Sequence, residues 1–417
     1  MVKKSVGACW DKSTKARLRM DANVAGKVNS NSPIGSESFF HKFMKVLFFS
    51  RDYTPHDYRF LKAITEIGHE CYYLRLEDRG QNLERRNLPD SVRLVDWKWG
   101  KLHRNPANDP DVIHDLKTIW NEIRPDVIHT GPLPDVSWLA AKADLHPHAA
   151  MSWGFDLMHD IEISAEMRAT TAAALQNADW FLGDCYVERD MAASLGLNPA
   201  HATIFPWGVD LKKLVREKSS IRKKLAQEDD FVLISLRTME PNYSVATIVK
   251  GFLLAAQKIA SLKLLLIGDG SQKNMLQQIV SLAPEDVQKR IFWIGRKKND
   301  ELKDYYCASD LYLSASITDG TSVSLLEAMA FEVPVLVSAI PGNLEWVTTG
   351  ETGLLFETNN EQMLAEKILY CYHNQEKLDT IAKAARRMVD ENADWEKNKY
   401  LLTTAYEQAI AIAKSRT

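Results

Sequence analysis

Cysteine is scarce in this chain and never paired at short range. Cys9, Cys71, Cys185, Cys307 and Cys371 are five among 417 residues, odd in number and far apart. That spacing argues against a disulfide framework and offers no Cys-x2-Cys unit for zinc or redox chemistry, so a reducing, cytoplasmic compartment is expected. Long apolar runs are missing as well. No window approaches the roughly 18 residues of a membrane span, and the N-terminus has no apolar signal core. A net charge of −3 leaves no basic excess of the kind nucleic-acid binders carry, so no nucleic-acid partner is expected. His, Asp and Glu show no metal-ligand spacing, with one superficial exception at Asp109-Pro110-Asp111. Pro and Asp suit a first helical turn, and a helix start is the reading taken there. The rest is ordinary globular composition, 45% hydrophobic and 26% charged, with length enough for two or three domains.

Residues 1–43 hold eight Lys/Arg against Asp11, Asp21 and Glu37, with little periodicity, and read as a flexible basic extension. Met44 looks like a natural chain start, which makes the preceding stretch a start-site artefact; organelle targeting is the sharper alternative. From Met44 the pattern alternates strand and helix: Lys45 to Phe49, Pro55 to Ile67, Glu70 to Leu76, Asp111 to Arg124, Asp126 to His129, and onward to Ala202–Phe205. Phe205-Pro206-Trp207-Gly208-Val209-Asp210 interrupts it, and a second alternating series starts at Phe231. The division expected is a first α/β domain at 44–208, a second at 209–390, and a C-terminal helix at 391–417. Alternation of this kind implies parallel sheets with helices on both faces, whose ligands bind at the carboxyl ends of the strands.

Asp319-Gly320-Thr321-Ser322-Val323-Ser324-Leu325-Leu326-Glu327 is the most informative stretch. It joins the strand-like Leu311-Tyr312-Leu313 to an expected helix. Free N–H groups at Gly320, Thr321, Ser322 and Val323, with the positive end of the helix dipole, suit a diphosphate. Glu327 lies about 9 Å further along the axis, a reach that suits the hydroxyls of a ribose. The plainer alternative is an ordinary N-cap at Thr321 or Ser322 and a solvated Glu327.

This stretch resembles the Glu-x7-Glu motif of retaining glycosyltransferases of family four, which have the GT-B fold: two Rossmann-like doubly wound domains facing across a cleft. The likeness continues through Phe331-Glu332-Val333-Pro334-Val335 to Gly353-Leu354-Leu355-Phe356, and Pro206-Trp207-Gly208-Val209-Asp210 looks like the family's linker. The resemblance implies that Glu327 binds the nucleotide ribose and that Asp319, one methylene shorter than the family's Glu, faces the donor sugar. It implies an Arg and a Lys after the first strand of the second domain. Arg237 stands in the first place and the uncharged Asn242 in the second. It likewise implies that Gly295-Arg296 meets the nucleobase and that the last helix crosses back to the first domain.

Other candidates come from strand ends. Gly268-Asp269-Gly270 begins like a dinucleotide fingerprint, but Lys273 replaces the third glycine, so Gly268 either lets a nucleotide approach or closes a tight turn. His129 and Asp156 end strands of the first domain and would face the cleft, Asp156 for hydroxyl recognition; a buried structural His129 is the alternative. For Arg237 the alternative is a surface salt bridge, and for Arg296 a plain basic loop. Trp97-Lys98-Trp99-Gly100-Lys101-Leu102-His103-Arg104 suits either peripheral membrane contact or a loop with buried Trp. The function expected is metal-free, retaining transfer of a hexosyl group from a nucleoside diphosphate sugar, with no cofactor beyond that donor, to a small-molecule, glycan or lipid-linked hydroxyl. Alternatives are a nucleotide-sugar epimerase or hydrolase of the same fold, or a weakly catalytic nucleotide-sugar-binding partner of another enzyme.

Overall fold

The computed structural model describes residues 43–78 and 84–416, so the basic stretch before Phe43 lies outside them. The first sheet comprises β1 (Lys45–Ser50), β2 (Glu70–Arg75), β3 (Val92–Leu94), β4 (Val127–Gly131), β5 (His148–Met151), β6 (Trp180–Gly183) and β7 (Ala202–Ile204), in the order β3-β2-β1-β4-β5-β6-β7. The second comprises β8 (Phe231–Ser235), β9 (Leu262–Ile267), β10 (Ile291–Gly295), β11 (Leu311–Ser314), β12 (Val335–Ser338) and β13 (Leu354–Phe356), in the order β10-β9-β8-β11-β12-β13. Every paired neighbour is parallel. Each sheet reverses its winding once, between β1 and β4 and between β8 and β11, and a doubly wound sheet offers its crevice at that reversal.

Strand pleating explains why the central strands are apolar throughout. Leu233, Leu264 and Leu266 point to one face, under the Val245–Ala256 helix, while Val232, Ile234 and Leu265 point to the other, against the Val323–Ala330 helix. In the first sheet Val46 and Phe48 meet the Pro55–Glu66 helix, and Leu47 and Phe49 meet the Asp109–Ile123 helix. The Pro55–Glu66 helix is started by a capping box: Thr54 Oγ1 accepts the Asp57 N–H and Asp57 accepts the Thr54 N–H at 2.8 Å. Its Phe60 ring stands edge-on to His129, Trp207 and Trp395 at 5.8, 4.9 and 5.5 Å, each pair worth about 0.5–1.5 kcal/mol beyond area burial.

The chain passes between the sheets twice at one place. Val209 N–H donates to Ala393 O at 2.9 Å and Trp395 N–H to Val209 O at 3.1 Å, so the outgoing and returning segments run side by side. Gly208 (φ +63°) is required there, because a Cβ would lie 2.4 Å from Ala393 O. The return is not the single helix expected at 391–417. It breaks into Trp395–Asn398 and Leu401–Arg416, with buried Lys399 between them turned onto Glu66 at 3.0 Å. Leu402, Ala405, Tyr406 and Ala409 then complete the core of the first sheet.

Two other expectations resolve at this level. Asp109-Pro110-Asp111 does begin a helix, Asp109–Ile123, and Asp109 accepts from Arg104 at 3.0 Å. In the segment 97–104 both indoles turn inward: Trp97 donates to Arg75 O at 2.6 Å and Trp99 to Asp115 at 2.9 Å. The aromatic half of the expected membrane contact is therefore built into the core of the first sheet. Among the described residues, no helix is long and apolar enough to cross a membrane, and Cys71, Cys185, Cys307 and Cys371 are free and buried.

Candidate active site

The winding reversal of the second sheet places two loops together. The loop after β8 carries Arg237, Asn242 and Tyr243; the loop after β11 carries Asp319, Gly320, Thr321 and Ser322 and leads into the Val323–Ala330 helix. Asn242 binds them to each other, its amide donating to Thr318 O at 3.1 Å while its own carbonyl accepts the Ile317 N–H at 2.8 Å. Arg237 is only 9% exposed. One arm is paired with Asp319, the other donates to Ser322 Oγ at 2.6 Å and Ser324 Oγ at 3.3 Å, and the guanidinium lies 4.2 Å from the Tyr243 ring centroid. Burial opposes its charge, but Asp319 and the neighbouring tyrosines more than offset that, so the guanidinium stays protonated. Its Nε is buried without a partner.

Across from this loop stands a carboxylate that strand-pattern reading did not single out. Asp184 follows β6 in the first half of the chain and accepts the Thr321 N–H at 3.2 Å, and Thr321 Oγ1 donates back to Asp184 O at 3.0 Å. Its neighbour Glu188 is fully buried; one oxygen accepts the Asp184 N–H at 3.0 Å and the other has no partner. Burial, reinforced by Asp319 and Glu345, pushes Asp184 up to about 7, and burial with Asp184 and Asp156 nearby drives Glu188 well above the usual carboxylate range. The Cys185 thiol is raised by the same burial. Ligand atoms of Asp184, Cys185 and Glu188 lie within 4.8 Å of one another, the one grouping among the described residues with the residue types of a metal site. Glycines make room around it: a Cβ at Gly320 would come 2.8 Å from Asp184 Oδ1, and one at Gly154 3.0 Å from Glu188 Oε1.

Between the two sides lies a cleft of about 230 Å³, walled by Trp153, Gly154, Asp184 and Trp207 of the first half and by Arg237, Asn242, Tyr243 and residues 318–323 of the second. Small-molecule sites usually enclose roughly 300–1,000 Å³, so this opening is of a size for a sugar with phosphate, and Glu327 lies beyond its wall.

Glu327 sits about one turn into the helix, half-buried, accepting from Tyr306 Oη at 2.8 Å. Burial raises its carboxyl above the usual range, opposed by the Tyr306 hydroxyl and by the Arg59 guanidinium. Arg59, another residue that pattern reading missed, donates to Trp207 O and Gly208 O at 2.9 and 3.0 Å.

Several expected positions differ. His129 does not face the cleft. It is 0% exposed, with Nδ1 2.8 Å from Tyr406 Oη and Nε2 3.3 Å from Met151 Sδ, and burial lowers its pKa to about 3. The strand expected to end at His129 runs on to Gly131, so His129 lies in its middle, with its side chain on the face that the last helix covers. Asp156 is buried and its oxygens are taken by Ser152 Oγ and by the N–H groups of Leu133, Trp153 and Leu157, all within 3.1 Å, so it ties its own loop to the segment after β4. Gly268 (φ +135°) closes a turn against protein, since a Cβ would meet Arg237 O at 2.9 Å. Gly295 supports that turn by accepting the Gly268 N–H at 3.0 Å, and Arg296 is exposed at the sheet edge, outside the cleft wall.

Comparison with known proteins bears on the family and the fold. Residues 217–388 match the family described as Glycosyl transferases group 1. Among curated proteins, the alpha-monoglucosyldiacylglycerol synthase of Acholeplasma laidlawii is 27% identical over 190 residues, 44% of this chain and 47% of that protein. The N-acetyl-alpha-D-glucosaminyl L-malate synthase of Bacillus anthracis is 28% identical over 197 residues, 47% of this chain and 50% of that protein. The chain spans about half the length of these relatives. Among solved structures, Anabaena Alr3699/HepE in complex with UDP and glucose has a TM-score of 0.72 at 17% identity, covering 87% of this chain and 99% of that one. Sucrose-phosphate synthase from Thermosynechococcus elongatus has 0.71 at 17%, covering 88% and 99%. The fold is GT-B, two Rossmann-like halves facing a cleft.

Proposed function

Because residues 217–388 match the family described as Glycosyl transferases group 1, we propose that the chain moves a sugar from a nucleoside diphosphate sugar to a hydroxyl acceptor with retention at the anomeric carbon. The observation that carries this reading is a buried, permanently charged Arg237 at the winding reversal of the second sheet, set against the N-terminal end of the Val323–Ala330 helix. Breaking the anomeric C–O bond leaves negative charge on the departing diphosphate, and a preorganised guanidinium with backbone N–H groups at Ser322 and Val323 suits that charge. Asp319, paired with Arg237, reaches the same space and is the group for a donor-sugar hydroxyl. Glu327, held by Tyr306, would take the ribose. UDP is the first nucleotide to try, since Anabaena Alr3699/HepE, which shares this fold, was crystallised in complex with UDP and glucose. In this reading no divalent cation takes part.

A weakly catalytic nucleotide-sugar-binding protein is the second reading, favoured by one observation: Asn242 places its amide on Thr318 O and brings no second cation beside Arg237. One experiment decides between them. Donor consumption is followed with UDP-, GDP-, ADP- and dTDP-sugars and a panel of acceptors, with and without EDTA, beside thermal shift. Stabilisation with turnover that survives EDTA is expected. Stabilisation without turnover selects the second reading, and turnover abolished by EDTA and restored by Mn2+ overturns the metal-free mechanism.

A further inference from the structure

The two halves meet through carboxylates that each serve a helix start of the other half. Asp184 takes the Thr321 N–H, two residues ahead of the Val323–Ala330 helix. The reciprocal contact is at the Tyr186–Ser194 helix, whose N-cap residue, Cys185, makes no side-chain cap. Its first two N–H groups donate instead to Glu345 of the second half, Tyr186 to Oε2 at 3.1 Å and Val187 to Oε1 at 2.9 Å. Orphan N–H groups at a helix start need an acceptor, and a bidentate carboxylate meets both the hydrogen bonds and the dipole. Glu345 itself follows the short Pro341–Leu344 helix, in which Gly342 packs so closely on the 319–320 backbone that a Cβ would lie 2.5 Å from both Asp319 O and Gly320 O. The segment carrying Glu345 is therefore seated on the loop carrying Asp319.

We propose that Glu345 is a positioning residue: by capping the Tyr186–Ser194 helix from the opposite half, it locks Asp184 against Thr321 and holds the cleft in its closed, reactive shape. The walls of the cleft give the lock a purpose. The space of about 230 Å³ beside Arg237 is walled by both halves, so its shape at the reacting end depends on how the halves engage. The groups assigned to the nucleotide, Arg237, Glu327 and the start of the Val323–Ala330 helix, belong to the second half, so loss of the lock should weaken turnover more than nucleotide affinity. The turnover part of this proposal rests on the glycosyltransferase reading; the lock itself does not.

The test uses the full chain with Glu345→Ala and Glu345→Gln. Hydrogen exchange of the Tyr186 and Val187 amides should quicken in Glu345→Ala and be partly restored in Glu345→Gln, whose one remaining oxygen can still accept. Small-angle scattering should show a larger radius of gyration for Glu345→Ala. UDP affinity by titration should stay within about twofold while kcat falls by roughly 10-fold or more, the scale of a small misplacement of reacting groups, with Glu345→Gln between. Unchanged exchange at Tyr186 and Val187 in both variants would overturn the lock. Faster exchange with unchanged kcat would overturn the positioning role. If the wild type proves to have no transferase activity, the function reading fails, and exchange and scattering still decide the lock.

Discussion

Arg237 illustrates what one residue has to do here. Its guanidinium is buried, yet its charge is met by Asp319, two serine hydroxyls and the face of Tyr243. Such a group is preorganised before any substrate arrives, which is the condition under which a single donor contributes most to a charged transition state. Arg237→Ala should lower turnover by about 10²–10³ while weakening donor binding much less, checked by kcat and by titration with UDP; normal turnover would mean another group meets the leaving charge. The sequence made this residue legible because it sits directly beyond a buried strand, as do Asp319 and the residues up to Val323. It did not make His129 or Asp156 legible to the same degree. Their expected strand-end positions did not hold: His129 is in mid-strand and taken by a tyrosine 277 positions away, and Asp156, past its strand, is absorbed by N–H groups of its own loop and of Leu133.

At the scale of elements, the last helix is the piece whose role depends most on distant sequence. A helix near the end of the chain was readable, and so was its return to the first half once the resemblance was in hand. Its break at Lys399 was not, because the partner that turns that side chain inward is Glu66, 333 residues earlier. The same distance hid Asp184 and Glu345, whose partners lie 137 to 159 positions off. Tyr406 measures how firmly the helix is seated. Tyr406→Phe keeps the ring but leaves His129 Nδ1 buried without a partner, which should cost about 1–3 kcal/mol. Chemical denaturation would read this; a variant within about 0.5 kcal/mol of wild type would mean the ring alone seats the helix.

For the whole molecule, the junction between the halves is a place where charge is costly. Asp184 has an ordinary carboxyl value near 3.8 when unfolded and about 7 in the folded chain, because burial penalises the ion. Between those values the folded form binds more protons than the unfolded one, so this contribution to stability is fully present below about pH 4 and lost as pH rises through about 7. Asp184→Asn cannot ionise, and its side-chain oxygen can still accept from Thr321. Its melting temperature relative to wild type should therefore rise between about pH 5 and pH 8. A difference that stays constant across that range would show that Asp184 does not titrate there. The two-sheet plan itself was legible, since alternation and buried strand pattern are local properties; how the halves engage was not, since no local pattern encodes a contact between loops of different sheets.

The paired crossing at Val209 and Ala393 also bears on how the chain is made. The core around Phe48 and Phe60 is finished only by Trp395, Leu402 and Tyr406, near the end of the chain. During synthesis the first half thus leaves the ribosome with one face of its sheet covered only in part, by the Pro55–Glu66 helix, and it must wait for almost the entire second half before it can be sealed. A chain ending at residue 208 should accordingly be aggregation-prone or bind hydrophobic dye, and supplying residues 391–417 as a separate peptide should rescue it. If the fragment 43–208 proves soluble, cooperative in melting and dye-free on its own, the closing helix is dispensable for the first half. In the folding order expected here, the half that begins the chain is the last to be complete.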